Sequence, residues 1–339
     1  MSSVAERITR LFEGDAPHDA NWLAHLLRNK LDQLPMPGAG ATLDRWRALA
    51  AVGQFDLSLT KLYEGHTDAL AILHELEAEN LQTRTGAWCV WAAEAPGGRT
   101  LIEACGKGQV RLSGAKFWCS GAIGGDHALL TAWEANGSGP HLVALPLKQS
   151  GITIDSSRWK AVGMASSLSV NVLFDGAVAY RVGAEKDYLT RPGFWHGGAG
   201  IAACWYGGAA GIASELRRSL LVSASADAKG YKLASLGKIE LALGETAAVL
   251  REAATWIDAH PQDDASRVAL TTRLSAERCA KLVIDEVGKT MGAGPFCLIE
   301  KFARATADLP VFIRQSHAER DFAALGERCL MREAWAWTL

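Results

Sequence analysis

The sequence lacks the Gly-x-Gly-x-x-Gly turn, the Walker loop, the Gly-x-Ser-x-Gly elbow and the His-Glu-x-x-His pair. Those absences remove the Rossmann, P-loop, α/β-hydrolase and zincin readings as first choices. Its seven cysteines (Cys89, Cys105, Cys119, Cys204, Cys279, Cys297 and Cys329) are odd in number and irregularly spaced, with no Cys-x-x-Cys pair. Neither a disulfide framework nor a metal site is suggested, and a reducing, cytoplasmic setting is expected. A net charge of −2 offers no basic field for a nucleic acid. The longest apolar stretches are broken by charge or glycine well short of a membrane span. The opening Met1-Ser2-Ser3-Val4-Ala5-Glu6-Arg7 has no apolar core of the kind a signal peptide needs. A sequon-like Asn136-Gly137-Ser138 sits in a turn-rich stretch and carries little meaning in a cytosolic protein.

What is present is ordinary in composition and uneven in texture. The 339 residues are 49% hydrophobic and 21% charged, enough for a large core and for one to three structural units. Up to about Glu79, apolar residues recur at helical spacing, as in Trp22, Leu23, Leu26, Leu27 and Leu31, then Leu70, Ile72, Leu73 and Leu76. Breaks fall at Pro35-Met36-Pro37-Gly38 and at Gly53. From about Gly86 to about Ala179 short β-rich runs take over: Trp88-Cys89-Val90-Trp91, Leu129-Leu130-Thr131-Ala132-Trp133, His141-Leu142-Val143-Ala144-Leu145 and Val170-Asn171-Val172-Leu173-Phe174. After Pro192 helical periodicity returns and reaches Leu330. Helical, then β, then helical argues for a β-domain held between two α-domains, or for a β-insert on a helical bundle.

Four stretches in this order resemble the acyl-CoA dehydrogenases. Trp88-Cys89-Val90-Trp91-Ala92-Ala93-Glu94-Ala95-Pro96-Gly97 is similar to that family's strand and Thr-Glu-Pro-Gly turn. Leu112-Ser113-Gly114-Ala115-Lys116-Phe117-Trp118-Cys119-Ser120-Gly121-Ala122 resembles its Asn-Gly-x-Lys-x-Trp-Ile-Thr-Asn. Trp159-Lys160-Ala161-Val162-Gly163-Met164, with Ser166, Ser167 and the strand to Phe174, resembles its Gly-Met-Arg-x-Ser. Thr190-Arg191-Pro192 opens a long helix backed by small residues; locally it also reads as an N-cap followed by an N-terminal proline. The resemblance implies an α+β fold with an N-terminal helical domain (1–85), a central β-domain (86–185) and a C-terminal four-helix-type domain (186–339).

It further implies an FAD-dependent oxidoreductase assembled as a homodimer or homotetramer. The substrate would be a small molecule, with an acyl thioester as one option. Trp88, Val90, Trp91, Trp118 and Ser120 would line the flavin, Trp118 beside the ring and Ser120 near N5. Arg191 would point toward the active site. Three departures stand against ordinary acyl-CoA dehydrogenation. The family's glutamate falls, depending on gap placement, at Ile313, Arg314 or Gln315, and at the alternative position the chain has Tyr188-Leu189-Thr190. None of these supplies the base that removal of a proton beside a thioester needs. The Arg-x-x-Phe-Gly that reaches FAD is missing near Ala226-Asp227-Ala228-Lys229-Gly230-Tyr231. The Gln-x-x-Gly-Gly-x-Gly loop survives only as Lys289-Thr290-Met291-Gly292-Ala293-Gly294, where Lys289 could face a phosphate and Gly292 and Gly294 allow close approach. The third departure is a short N-terminal helical region.

In the family's flavin monooxygenases a C-terminal histidine serves oxygen chemistry, and His317 stands as its candidate here. Ser316 and Glu319 also frame His317 as a solvated helix start with a capping box. His66 and His196 are further candidates that read more readily as structural. Three functions therefore follow from the sequence: an unusual FAD oxidoreductase, a reduced-flavin monooxygenase, or a non-catalytic homologue that assembles with an active subunit.

Overall fold

The computed structural model describes residues 2–14, 21–81, 86–106, 108–137, 139–222 and 229–331. Ser138 of the sequon-like stretch and the segment Ala226-Asp227-Ala228 lie outside the described residues. The chain divides into two compact units, Met1–Glu13 with Pro35–Leu57 and Trp195–Leu339, and Gly14–Leu34 with Ser58–Phe194. This grouping cuts across the segments 1–85, 86–185 and 186–339, because the N-terminal helices are shared between both units.

The second unit holds all the strands: β1 (Trp88–Trp91), β2 (Thr100–Gly106), β3 (Gln109–Cys119), β4 (His127–Trp133), β5 (Pro140–Pro146), β6 (Ile152–Asp155) and β7 (Val170–Val182). Strands β4, β2, β3, β7 and β5 pair in a ring, since β5 returns to β4; β1 adds to β4 and β6 to β7. Inward-facing positions alternate along β3 and β7, as a half-buried strand requires. Strand β4 is buried on both faces. Its Ala128, Leu130 and Ala132 fill the interior with Leu112, Val143, Val172 and Ala177.

Leu129 of β4 faces the other way, toward helix α4 (Leu57–Glu75), which follows α1 (Val4–Glu13), α2 (Trp22–Arg28) and α3 (Thr42–Phe55) in the chain. Ala69, Ile72 and Leu73, spaced i, i+3 and i+4 on α4, pack with Leu129, Leu142 and Ala144. Burying such an aliphatic side chain contributes about 1.5–3 kcal/mol. The short helix α5 (Asp187–Thr190) closes this unit.

The first unit is helical, with α6 (Gly193–Val222), α7 (Lys229–Ala259), α8 (Ser266–Met291), α9 (Gly294–Leu298), α10 (Glu300–Phe312) and α11 (Glu319–Leu330) beside α1 and α3. The glycines of α6 lie against α3 of the same chain: a Cβ on Gly207 would sit 2.2 Å from the Ala50 carbonyl oxygen. No helix among the described residues is long and apolar enough to cross a membrane.

Candidate active site

The β-unit holds the motif residues around a bulge. The pairing of β3 with β7 shifts between Lys116 and Cys119, and Trp118 takes a positive φ of 61°. A left-handed tryptophan is uncommon, costs about 1–3 kcal/mol and has to be held by its surroundings. Lys116 supplies part of that hold. Its ammonium is 1% exposed and donates to Glu94 Oε1 at 2.8 Å and to Thr131 Oγ1 at 2.7 Å. Burial lowers the Lys116 pKa, opposed by the Glu94 carboxylate. Lys116 thereby ties the strand just before the bulge to β4. The bulge turns the Trp118 ring outward, leaving it 59% exposed, while Ser120 two residues on is buried.

Two cavities flank this turn. The first, of about 220 Å³, is lined by Leu62 and Gly65 of α4, Trp88 and Val90 of β1, Ser120 and Leu168 among others. Its wall is mostly apolar, and its cation Lys61 is paired with Glu64 at 3.0 Å. The second, of about 380 Å³, is lined by Phe117, Trp118, Asp155, Arg158, Trp159 and Ser169 among others. Trp118 meets Trp159 edge-on at 6.4 Å. Ser120 of the first cavity and Ser169 of the second share a hydrogen bond of 2.7 Å, so serine hydroxyls form the partition.

The wall of the first cavity is fixed from behind. His66 is buried, its Nδ1 accepts from the Trp88 N–H at 3.0 Å, and its Nε2 faces Asp32 at 3.2 Å. An accepting Nδ1 places the ring proton on Nε2, toward Asp32. Trp91 points inward, buried, and its Nε1 donates to the Ser120 carbonyl at 2.9 Å.

Cys89 also lines the first cavity, and burial pushes its thiol up to about 12, opposed by Lys61 and reinforced by Asp126. A thiol so far above neutrality is a poor nucleophile. Near neutral pH, iodoacetamide is therefore expected to label the exposed Cys105 and Cys297 and to leave Cys89 unmodified, as read by peptide mass spectrometry. Alkylation of Cys89 at a comparable rate would show that the cavity is open to water.

The site residues expected from the sequence separate between the two units. Trp88, Val90, Trp91, Trp118 and Ser120 gather around the bulge and its cavities, whereas Arg191 lines neither cavity. Arg191 donates to Glu75 Oε2 at 2.6 Å, and its guanidinium lies 5.2 Å from the Tyr188 ring centre. His317, Lys289, Gly292 and Gly294 belong to the helical unit. His317 is 57% exposed with Nδ1 3.4 Å from Asp321, and Lys289 is exposed and paired with Asp285. Gly292 caps α8 at a φ of 65° with open space around it. His196, in the same unit, is buried close to Gly38. Among the described residues no cluster of His, Cys, Asp and Glu could hold a metal ion. Trp159 lines the second cavity and donates from Nε1 to the Ala165 carbonyl at 2.9 Å, and Ser167 lines the first cavity 3.0 Å from Ser169.

The mixed helical and β architecture matches the acyl-CoA dehydrogenase-like fold. No protein-family model and no curated protein matches the sequence. Among solved structures, FMN-bound TdsC from Paenibacillus sp. A11-2, a dibenzothiophene monooxygenase, matches with a TM-score of 0.78 and 18% identity over 96% of each chain. KijD3, solved with FMN and a dTDP-sugar, matches with a TM-score of 0.77 and 20% identity over 97% of this chain and 92% of that one. The methanesulfinate monooxygenase MsuC from Pseudomonas fluorescens has a TM-score of 0.72 and 18% identity over 96% of each chain.

Proposed function

We propose that the protein is a flavin-dependent monooxygenase that uses FMN and acts on a small, uncharged, largely apolar molecule. One observation carries this reading: an outward-turned tryptophan and a buried serine, two residues apart, each face a cavity at a common partition. The residues present suit a flavin. Trp118 and Trp159 offer flat apolar surface, Ser120 offers a hydroxyl, and the exposed Arg158 offers a cation suited to a phosphate. FMN replaces the FAD expected from the sequence because the Arg-x-x-Phe-Gly expected to reach FAD is missing. Two of the structures with this fold also carry FMN.

When bound, the flavin would supply the activation of dioxygen and the transfer of one oxygen atom to the substrate. The chain's own residues would do the rest. Leu62, Trp88, Val90 and Leu168 would hold an apolar substrate and keep water out. The His66–Asp32 pair would keep the β1 edge of that wall in place. The Lys61–Glu64 pair neutralises the cation in the lining, which suits an uncharged substrate better than an anionic one.

Fluorescence titration with FMN tests the reading. Saturable binding is expected, and Trp118→Ala should weaken it by about 1–3 kcal/mol. Trp133→Ala should leave it unchanged, since the Trp133 ring sits against Arg99 and its Nε1 donates to Glu94. Equal retention by both variants, with folding intact by circular dichroism, would make Trp118 a surface aromatic and remove the main support.

A further inference from the structure

Helix α4 turns one stripe of side chains toward the sheet, where Ala69, Ile72 and Leu73 are packed in the core. Four residues before Ala69 on that stripe an apolar side chain is expected, and Gly65 stands there instead. A glycine inside a helix destabilises it relative to alanine, so the position needs a reason. Close packing supplies one at the other buried glycines inside helices. A Cβ on Gly53, Gly200, Gly207 or Gly208 would meet an atom of a neighbouring element at 3.2 Å or closer. Gly65 has no such neighbour among the described residues. It is buried, yet within 4 Å its Cβ would meet only the Val90 nitrogen, at 3.8 Å, an ordinary contact. Buried and unfilled, the position opens on the first cavity, which Gly65 lines with Leu62, Trp88 and Val90.

We infer that Gly65 is a specificity-determining residue, and that its missing side chain admits an apolar substrate with the bulk of two fused rings. The inference deepens the proposed function and rests on it. A cavity of about 150 Å³ holds a single benzene ring. The first cavity, of about 220 Å³, holds more than that. A leucine at position 65 would take up the difference. Its Cβ fits without displacing Val90, and its further carbons would extend from the buried side of α4 into the cavity. The gap between α4 and β1 is held against widening, because His66, the next residue, accepts the Trp88 N–H at 3.0 Å. The space left by Gly65 is therefore space for a ligand, and a side chain placed there competes with the ligand for it.

Equilibrium dialysis of the FMN-loaded full chain against phenol and against 2-naphthol, both uncharged at neutral pH, tests this. The unmodified protein is expected to bind 2-naphthol about tenfold more tightly, as burial of the second ring's apolar surface allows. Gly65→Leu should bring that ratio to about one or invert it, with phenol still bound and FMN retained. Gly65→Ala probes the space itself. It should raise the urea midpoint, because a helical glycine is replaced without a clash, and lower the ratio only about two- to threefold. If Gly65→Leu fails to fold, Gly65→Val takes its place and should lower the ratio in the same direction. With FMN bound, a ratio unmoved by the larger side chain overturns the inference and leaves the proposed function standing. So does a Gly65→Ala urea midpoint below that of the unmodified protein, or an unmodified protein that binds both probes without preference. Binding of neither probe overturns the inference and the apolar-substrate reading together. Failure to bind FMN overturns the flavin reading on which the inference rests.

Discussion

Mixed anaerobically with straight-chain acyl-CoA esters, the FMN-loaded protein is expected to keep its flavin oxidised over minutes. Loss of the α-proton of a thioester needs a positioned base, which contributes typically 10²–10⁴-fold. The positions where the family resemblance would place a glutamate offer none. Ile313 is buried apolar surface in the 3-10 turn that ends α10, and the Arg314 guanidinium is bound to Glu277 Oε1 at 2.7 Å. The backbone carbonyl of Gln315 accepts from Arg273, and its side-chain amide is no base. At the alternative position stand Leu189 and Thr190. The Glu75 carboxylate, bound just beyond them, has both oxygens engaged, one by Arg191 at 2.6 Å and one by the Gly193 N–H at 2.8 Å. Flavin bleaching within seconds would mean that a base reaches the α-carbon from elsewhere, and the protein would be a dehydrogenase after all.

How much of this was legible in the sequence depended on distance along the chain. The β-texture from about Gly86 onward is a local property: alternation along β3 and β7 follows from residues two apart, and the run in β4 follows from burial on both faces. Trp118 and Ser120 were legible because they sit within one motif. Their opposite fates, one exposed and one buried, were not, because they follow from the left-handed backbone at Trp118. The serine partition depends on Ser169 reaching Ser120 across 49 residues, and no local pattern encodes that contact. Arg191 shows the reverse case. The motif led one to expect Thr190 as the cap of the long helix, but Thr190 ends α5, Arg191 is the C-cap of α5, and α6 begins at Gly193. The Arg191 charge is satisfied by Glu75, 116 residues earlier. Likewise the small residues behind Thr190-Arg191-Pro192 do not name their partner, and Gly207 and Gly211 among them lie against α3 within the chain.

That packing sets up the largest expected effect on stability. Gly207→Ala places a methyl 2.2 Å from the Ala50 carbonyl oxygen and 2.8 Å from its Cα, atoms of a helix backbone that cannot rotate aside. Neighbouring contacts leave no room for α3 and α6 to slide apart locally: Cβ atoms on Gly53 and Gly211 would meet the carbonyl oxygens of Cys204 and Gln54 at 2.6 and 2.9 Å. Overpacking of this kind costs about 1–3 kcal/mol, and backbone atoms on the receiving side place this site at the upper end. The same substitution at Gly244, inside α7 with nothing within 4 Å of the added methyl, removes only the entropic cost of a helical glycine. It should stabilise by about 0.5–1 kcal/mol. Urea unfolding of the two variants should therefore move the midpoint in opposite directions, by more for Gly207→Ala. A Gly207→Ala midpoint equal to that of the unmodified protein would mean that α3 and α6 are not in close backbone contact.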